Sequence, residues 1–187
     1  MKIKKVFITG AGSGLGKEAA IALARRGHIV YASVHYTNQI DALVQIAKKE
    51  KLSLHVFYLN VLEPESRKVI LDYDIDVFIS NAAIGDSGSV AEINIQRIKD
   101  VFDTNIFANL SCIQLALQHM ICIKKQGRIV VLTSLAGRIP APFLSPYCAS
   151  KFALDAFTSC LRQEMKLLKG AHIEVCAIEP RCLCNWI

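Results

Sequence analysis

The sequence predicts an α/β domain: a doubly wound parallel sheet in three layers, with helices on both faces. Three observations predict it. Short apolar runs alternate with longer amphipathic stretches along the chain, joined by short links. The first run passes straight into a glycine-rich turn that opens a helix. The 187 residues suffice for one domain with a full hydrophobic core.

Residues 4–9, K-K-V-F-I-T, read as a short apolar strand, followed by G-A-G-S-G-L-G over residues 10–16. A helix then runs through Arg26 and is capped by Gly27. The glycines permit a tight turn and let a phosphate approach backbone amides. The helix N-terminus adds partial positive charge. Such a turn alone is weak evidence, but between strand and helix it points to dinucleotide binding. Residues 28–34 form the second strand. A dinucleotide site places an acid there for the adenosine ribose, or a base for a 2′-phosphate. Here stand Val34, His35 and Tyr36. The missing acid argues against strong NAD preference, and the missing Arg leaves only a slight lean to NADP. His35 is equally well explained as a surface residue.

Residues 40–51 form an amphipathic helix, and residues 53–59 a third strand ending at Asn60 and Val61. A helix over 64–71 leads to a fourth strand over 75–80. Asn81, Ala82, Ala83, Ile84 and Gly85 follow. Their small side chains let a flat ring or ribose lie against the backbone, although a plain glycine loop explains them too. Residues 94–125 make one or two long helices with Asn105 inside. An Asn there is mildly unfavourable unless its amide has a task. The fifth strand spans 128–133, a helix covers 147–168, and the sixth strand spans 173–178.

The chemistry concentrates in residues 134–151. Ser134 is the first residue off the fifth strand. Pro140, Pro142 and Pro146 follow, so no helix is expected before Pro146. Tyr147 and Lys151 are four residues apart, which puts a phenol and an ammonium on one helix face. An unperturbed phenol, with a pKa of about 10, is a poor acid–base group at neutral pH, and a neighbouring cation favours its phenolate. A hydroxyl, a phenol and a lysine are the parts of a proton-transfer site for a carbonyl or alcohol. Alone, the Tyr–Lys spacing suits an ordinary helix pair equally well.

Composition excludes other classes. No apolar run reaches the roughly 18 residues of a membrane span. The basic N-terminus runs into a strand and lacks the apolar region of a signal peptide. A cytoplasmic location is therefore expected. Seven scattered cysteines, an odd number, fit reduced thiols better than a disulfide framework. Cys182 and Cys184 are too few and too close for a zinc site without distant partners, so no metal is expected. The net charge of +6 is spread along the chain rather than clustered with aromatics. That reads as solvated surface, with no nucleic-acid partner.

Together these motifs resemble the short-chain dehydrogenase/reductase family. Thr9, Gly10, Gly14 and Gly16 match its T-G-x-x-x-G-x-G pattern, and Asn81-Ala82-Ala83 an altered form of its N-A-G signature. Asn105, Ser134, Tyr147 and Lys151 match its catalytic set. The resemblance runs from residue 3 to about residue 180. It implies a Rossmann fold, an NADP(H) cofactor with NAD(H) second, and a carbonyl or secondary-alcohol substrate. It also implies roles. Tyr147 would exchange the proton at the substrate oxygen, and Lys151 would hold the nicotinamide ribose. Ser134 would orient the substrate oxygen, and Asn105 would hold a relay water. Thr9, Gly10, Ser13, Gly14, Leu15, Gly16, His35, Asn60, Val61, Asn81, Ala82 and Pro180 would line the cofactor with Tyr147 and Lys151. Asn60 stands where the family usually has an Asp near the adenine, which softens adenine recognition. Pairing into homo-oligomers would use residues 105–124 and 147–168. Phe143 and Leu144 suggest an apolar substrate wall, or simple packing.

The resemblance breaks after Pro180. The family continues P-G-x-x-x-T, whereas this chain reads R-C-L-C-N-W-I and stops. Codons for that tail, read one base later, can give Gly-Ala-Tyr-Ala-Thr-Gly. A frameshift, with the last strand and lid lacking, is therefore expected, and sequencing downstream tests it. Weak or absent turnover is expected of the chain as written. Two alternatives accompany the enzyme reading: a truncated relic, and a dinucleotide-sensing regulator.

Overall fold

A computed structural model describes residues 2–180. Six parallel strands form one sheet: β1 (Lys5–Ile8), β2 (Ile29–Val34), β3 (Leu54–Tyr58), β4 (Val77–Ser80), β5 (Gly127–Leu132) and β6 (Ile173–Ile178). Their order is β3-β2-β1-β4-β5-β6. The order reverses at β1, so the crossover from β1 to β2 runs one way and that from β3 to β4 the other. A crevice opens at the strand ends there, where open α/β sheets bind ligands. Ile8 pairs with Ala32 on one side and with Ile79 on the other.

Two cores flank the sheet. On one face, α1 (Gly14–Arg25) and α2 (Asn38–Glu50) pack Ala20, Ile21, Ala24, Leu43 and Ala47 against Val6, Ile8, Val30, Ala32 and Val34. On the other, α4 (Ile95–Phe102), α5 (Asn109–Cys122) and α6 (Ser145–Leu167) cover Phe7, Phe78, Ile129, Val131 and Val175. The central strands β1 and β2 are apolar on both sides because both faces are covered there, which is why their sequences read as continuous apolar runs. Cys112 of α5 is fully buried. Burial pushes its thiol up to about 12, which makes it a packing residue rather than a nucleophile.

Several boundaries differ from expectation. The helix over 64–71 is one α-helical turn, α3 (Pro64–Arg67), tightening into a 3-10 turn at Lys68–Asp72. The stretch 94–125 is α4 and α5 joined by a π-helical turn at Asp103–Ala108. The loop after β5 holds a 3-10 turn at Leu135–Gly137. The helix carrying Tyr147 starts at Ser145, one residue earlier than Pro146 was expected to allow. Pro146 lies in its first turn, where the missing N–H has no intrahelical partner to lose.

β6 lies at the sheet edge among the described residues. Beside it, a groove of about 1180 Å³ runs along the α1 face, over Ile79, Val130, Leu132 and Ile178. The expectations for the tail, including the frameshift, fall on residues 181–187 and lie outside the described residues.

Candidate active site

The site is a cleft of about 870 Å³ at the carboxyl ends of β1, β2, β4 and β5. Its floor begins where β1 ends. Gly10 has φ +66, and a Cβ there would stand 2.7 Å from the Ala82 Cα. Only glycine permits both the left-handed backbone and that approach. Thr9 is fully buried, and its Oγ1 accepts from the amides of Asn81 at 3.0 Å and Ala82 at 3.1 Å. The Asn81 Nδ2 donates back to the carbonyls of Thr9 and Gly10, both at 2.9 Å. The end of β4 thus clamps the glycine turn from below. Ser13 caps α1 with no side-chain hydrogen bond and lines the cleft at the start of the helix. Leu15, Gly14 and Gly16 line the cleft beside it.

The opposite side of the cleft is built by β5 and α6. Ser134 leaves β5 in extended backbone, and its Oγ accepts from the Ala136 amide at 3.1 Å. Tyr147 is half-buried and lines the cleft with Ser134 and Lys151. Lys151 is only 3% exposed. Its Nζ donates to the Leu132 carbonyl at 2.9 Å and stands 5.7 Å from the centre of the Tyr147 ring. It makes no ion pair among the described residues, and burial lowers its ammonium to about 8. A Cβ on Gly137 would stand 2.8 Å from the Lys151 carbonyl oxygen, so the loop after Ser134 packs directly on the helix carrying Lys151.

Asn105 sits in the π-helical turn and is fully buried. Its Oδ1 accepts from the Ile84 amide at 2.9 Å, and its Nδ2 donates to the Ile84 carbonyl at 2.9 Å and the Ser150 Oγ at 3.0 Å. Its amide joins the loop after β4 to α6. Both of its N–H donors are engaged by protein groups. Ser150 in turn donates to the Tyr147 carbonyl at 2.8 Å, so the chain of bonds ends at Tyr147.

His35, Asn60, Val61, Asn81, Ala82 and Pro180 also line the cleft. His35 stacks edge-on against Tyr36 with ring centres 4.5 Å apart. The Asn60 carboxamide accepts from the Leu62 amide and donates to Glu63, which fixes its own turn. Pro180 accepts from the Leu135 amide at 3.3 Å. Phe143 and Leu144 lie outside the cleft lining, and Phe143 is 67% exposed with φ +64.

Three residues escaped the sequence reading. Asn109 is buried, accepts from the Ser80 hydroxyl at 2.7 Å, and donates to the carbonyls of Ala82 at 2.7 Å and Thr104 at 3.0 Å. Its position four residues after Asn105 was a readable signal. Ser150 and Gln39 gave none.

Fold and cleft define the class: an α/β domain of the Rossmann type, with a glycine turn and a Ser–Tyr–Lys group on one crevice. A family model for short chain dehydrogenases matches residues 4–183, and the chain belongs to that family. A probable short-chain type dehydrogenase/reductase VdlC from Helicobacter pylori is 36% identical over 180 residues, covering 92% of this chain and 62% of that protein. Dehydrogenase/reductase SDR family member 7B from Xenopus laevis is also 36% identical, covering 94% and 57%. The chain thus spans about three-fifths of the length of these curated relatives. Among solved structures, acetoin dehydrogenase YohF from Salmonella typhimurium matches with a TM-score of 0.85 at 25% identity, covering 97% of this chain and 73% of that one. An actinorhodin polyketide ketoreductase solved with NADPH superposes with a TM-score of 0.87 at 24% identity, covering 95% and 70%, which is a likeness of fold.

Proposed function

We propose that the protein is an oxidoreductase that moves hydride between NADP(H), with NAD(H) second, and a carbonyl or secondary alcohol. One observation carries this reading: a single cleft is lined by the glycine turn at one end and by Ser134, Tyr147 and Lys151 at the other. The cradle suits a dinucleotide. Backbone rather than side chains forms the floor at Gly10, and the open amides of α1 suit a pyrophosphate.

Gly10, Ser13, Gly14, Leu15 and Gly16 would hold the phosphates, and Thr9, buried beneath them, would hold the floor of the turn to the end of β4. His35 would face the adenosine ribose, and Asn60 and Val61 the adenine. Asn81, Ala82, Pro180, Tyr147 and Lys151 would hold the nicotinamide half. When bound, the nicotinamide supplies or accepts the hydride. The Ser134 hydroxyl would hydrogen-bond the substrate oxygen. Tyr147 would donate a proton to that oxygen in reduction and accept one in oxidation. Lys151 is anchored at Leu132 and holds its positive charge beside the Tyr147 ring, where charge develops during proton transfer. Asn105, through Ser150, fixes the helix turn that carries Tyr147.

The relic and regulator alternatives are not favoured, since the family match spans nearly the whole chain and its relatives are named as dehydrogenases or reductases. A cytoplasmic setting is supported by the five described cysteines, all free. No helix among the described residues is long and apolar enough to cross a membrane. A homo-oligomer is supported by exposed Phe107, Phe152 and Phe157 on the outer helical surface. Sedimentation of the purified chain tests it, and a monomer throughout would remove that part.

The central test is Tyr147→Phe. NADPH binding should stay within about threefold, while reduction of a panel of ketones should fall by roughly 100-fold or more, the scale of a lost proton donor. Unchanged turnover would remove Tyr147 from the chemistry. Failure of the unaltered protein to bind NADPH or NADH would remove the whole reading.

A further inference from the structure

The adenosine end of the cleft carries a feature that none of the sequence motifs includes. Gln39, in the first turn of α2, lies flat across the glycine turn. A Cβ on Gly12 would overlap its carboxamide, with the Nε2 atom 2.7 Å away. The Gln39 Oε1 accepts from the Tyr36 amide at 3.2 Å. That bond sets the orientation of the amide, and Nε2 makes no hydrogen bond among the described residues. Gln39 is half-buried and lines the cleft with Gly12, Ser13, His35 and Tyr36.

The charges here make that free donor matter. Lys151 is the only Lys or Arg lining the cleft among the described residues, and it belongs to the catalytic end. The nearest acid in the lining at the glycine turn is Glu18 of α1. No cation therefore stands ready for a 2′-phosphate, and no acid stands at the end of β2 for a 2′-hydroxyl. A neutral N–H donor serves either group, because a hydroxyl oxygen and a phosphate oxygen both accept.

We infer that Gln39 is the positioning and specificity-determining residue for the adenosine ribose: its Oε1 fixes the turn after β2, and its Nε2 donates to the 2′-oxygen of either cofactor form. The inference rests on the proposed dinucleotide function and assigns the discriminating contact within it. The neutral amide makes the protein tolerant of both forms, and a charge at this one position converts tolerance into choice.

Calorimetric titration with NADP⁺ and with NAD⁺ tests this on the unaltered protein, Gln39→Glu and Gln39→Lys. Glu keeps the length and the acceptor but sets a negative charge against a phosphate. The ratio of the two dissociation constants should shift at least about tenfold toward NAD⁺. Lys should shift it the other way by a similar factor. A merely structural role would weaken both ligands alike and leave the ratio unmoved, as would a cofactor that lies elsewhere. Ratios unchanged in both variants, with the unaltered protein still binding, would overturn the role of Gln39 alone. No binding of either ligand by the unaltered protein would instead overturn the dinucleotide reading, and this inference with it. Far-UV circular dichroism of both variants should match the unaltered protein, since Gln39 lies at the surface of α2.

Discussion

Asn109→Ala should cost the protein a large part of its stability, although Asn109 lies outside the Ser–Tyr–Lys group. The Asn109 carboxamide makes three hydrogen bonds of 3.0 Å or less, to Ser80, Ala82 and Thr104. They join the tip of β4, the loop beneath the glycine turn, and the π-helical turn. Each bond contributes about 1 kcal/mol net, and each buried partner left unpaired costs about 1–3 kcal/mol. The Ser80 hydroxyl can rotate, and the Ala82 carbonyl lies toward the cleft, so water relieves part of this. The expected loss is about 3–4 kcal/mol, against a total of roughly 5–15 kcal/mol for a domain. Urea unfolding followed by far-UV circular dichroism measures it. Asn109→Asp should lose at least as much, because the two carbonyls then face a buried carboxylate instead of donors. Ser111→Ala supplies the comparison: its hydroxyl bonds only the Phe107 carbonyl one turn back, and its removal should cost no more than about 0.5 kcal/mol. A loss below about 1 kcal/mol for Asn109→Ala, at an unchanged denaturant slope, would refute the view that this amide holds the junction.

Two further outcomes follow from the same geometry. Lys151 is held at about 8 by burial, below the ordinary 10.5, so between those values the unfolded chain binds more protons than the folded one. Stability should therefore rise with pH across that window, by at most about 3 kcal/mol, and the rise should vanish in Lys151→Met. Urea midpoints for the two proteins between pH 7 and 10.5 read the difference, and parallel curves would exclude the buried charge as its source. Gly137→Ala sets a methyl against the Lys151 carbonyl, a backbone atom that cannot swing aside. It should destabilise by about 1–3 kcal/mol and displace Ser134. Unchanged thermal unfolding together with unchanged ketone reduction would show that the loop moves freely.

The fold was legible in the sequence because strands and helices alternate and the central strands β1 and β2 are covered on both faces. Its strands are mostly apolar runs and its longer helices amphipathic stretches, joined by links that are short except at residues 81–94 and 133–144. All six strands were expected at their observed places within a residue or two. The misjudged stretches are short departures from regular helix and one proline. The π-helical turn at Asp103–Ala108 and the 3-10 turns at Lys68–Asp72 and Leu135–Gly137 keep a helical pattern of side chains while changing the hydrogen-bond spacing. Pro146 misled because a proline in the first helical turn looks, in one dimension, like a helix break.

The spacing of the glycines and of Tyr147 and Lys151 determined by itself that a glycine turn would open the first helix and that a phenol and an ammonium would share one helix face, because both depend on residues close together in the chain. Only the tertiary structure decided that they share one cleft, since Tyr147 stands 131 positions after Gly16 and the sheet order brings them together. It also decided what the amides do. Asn105 and Asn109 are ordinary polar residues until burial removes water and obliges each donor and acceptor to find a protein partner.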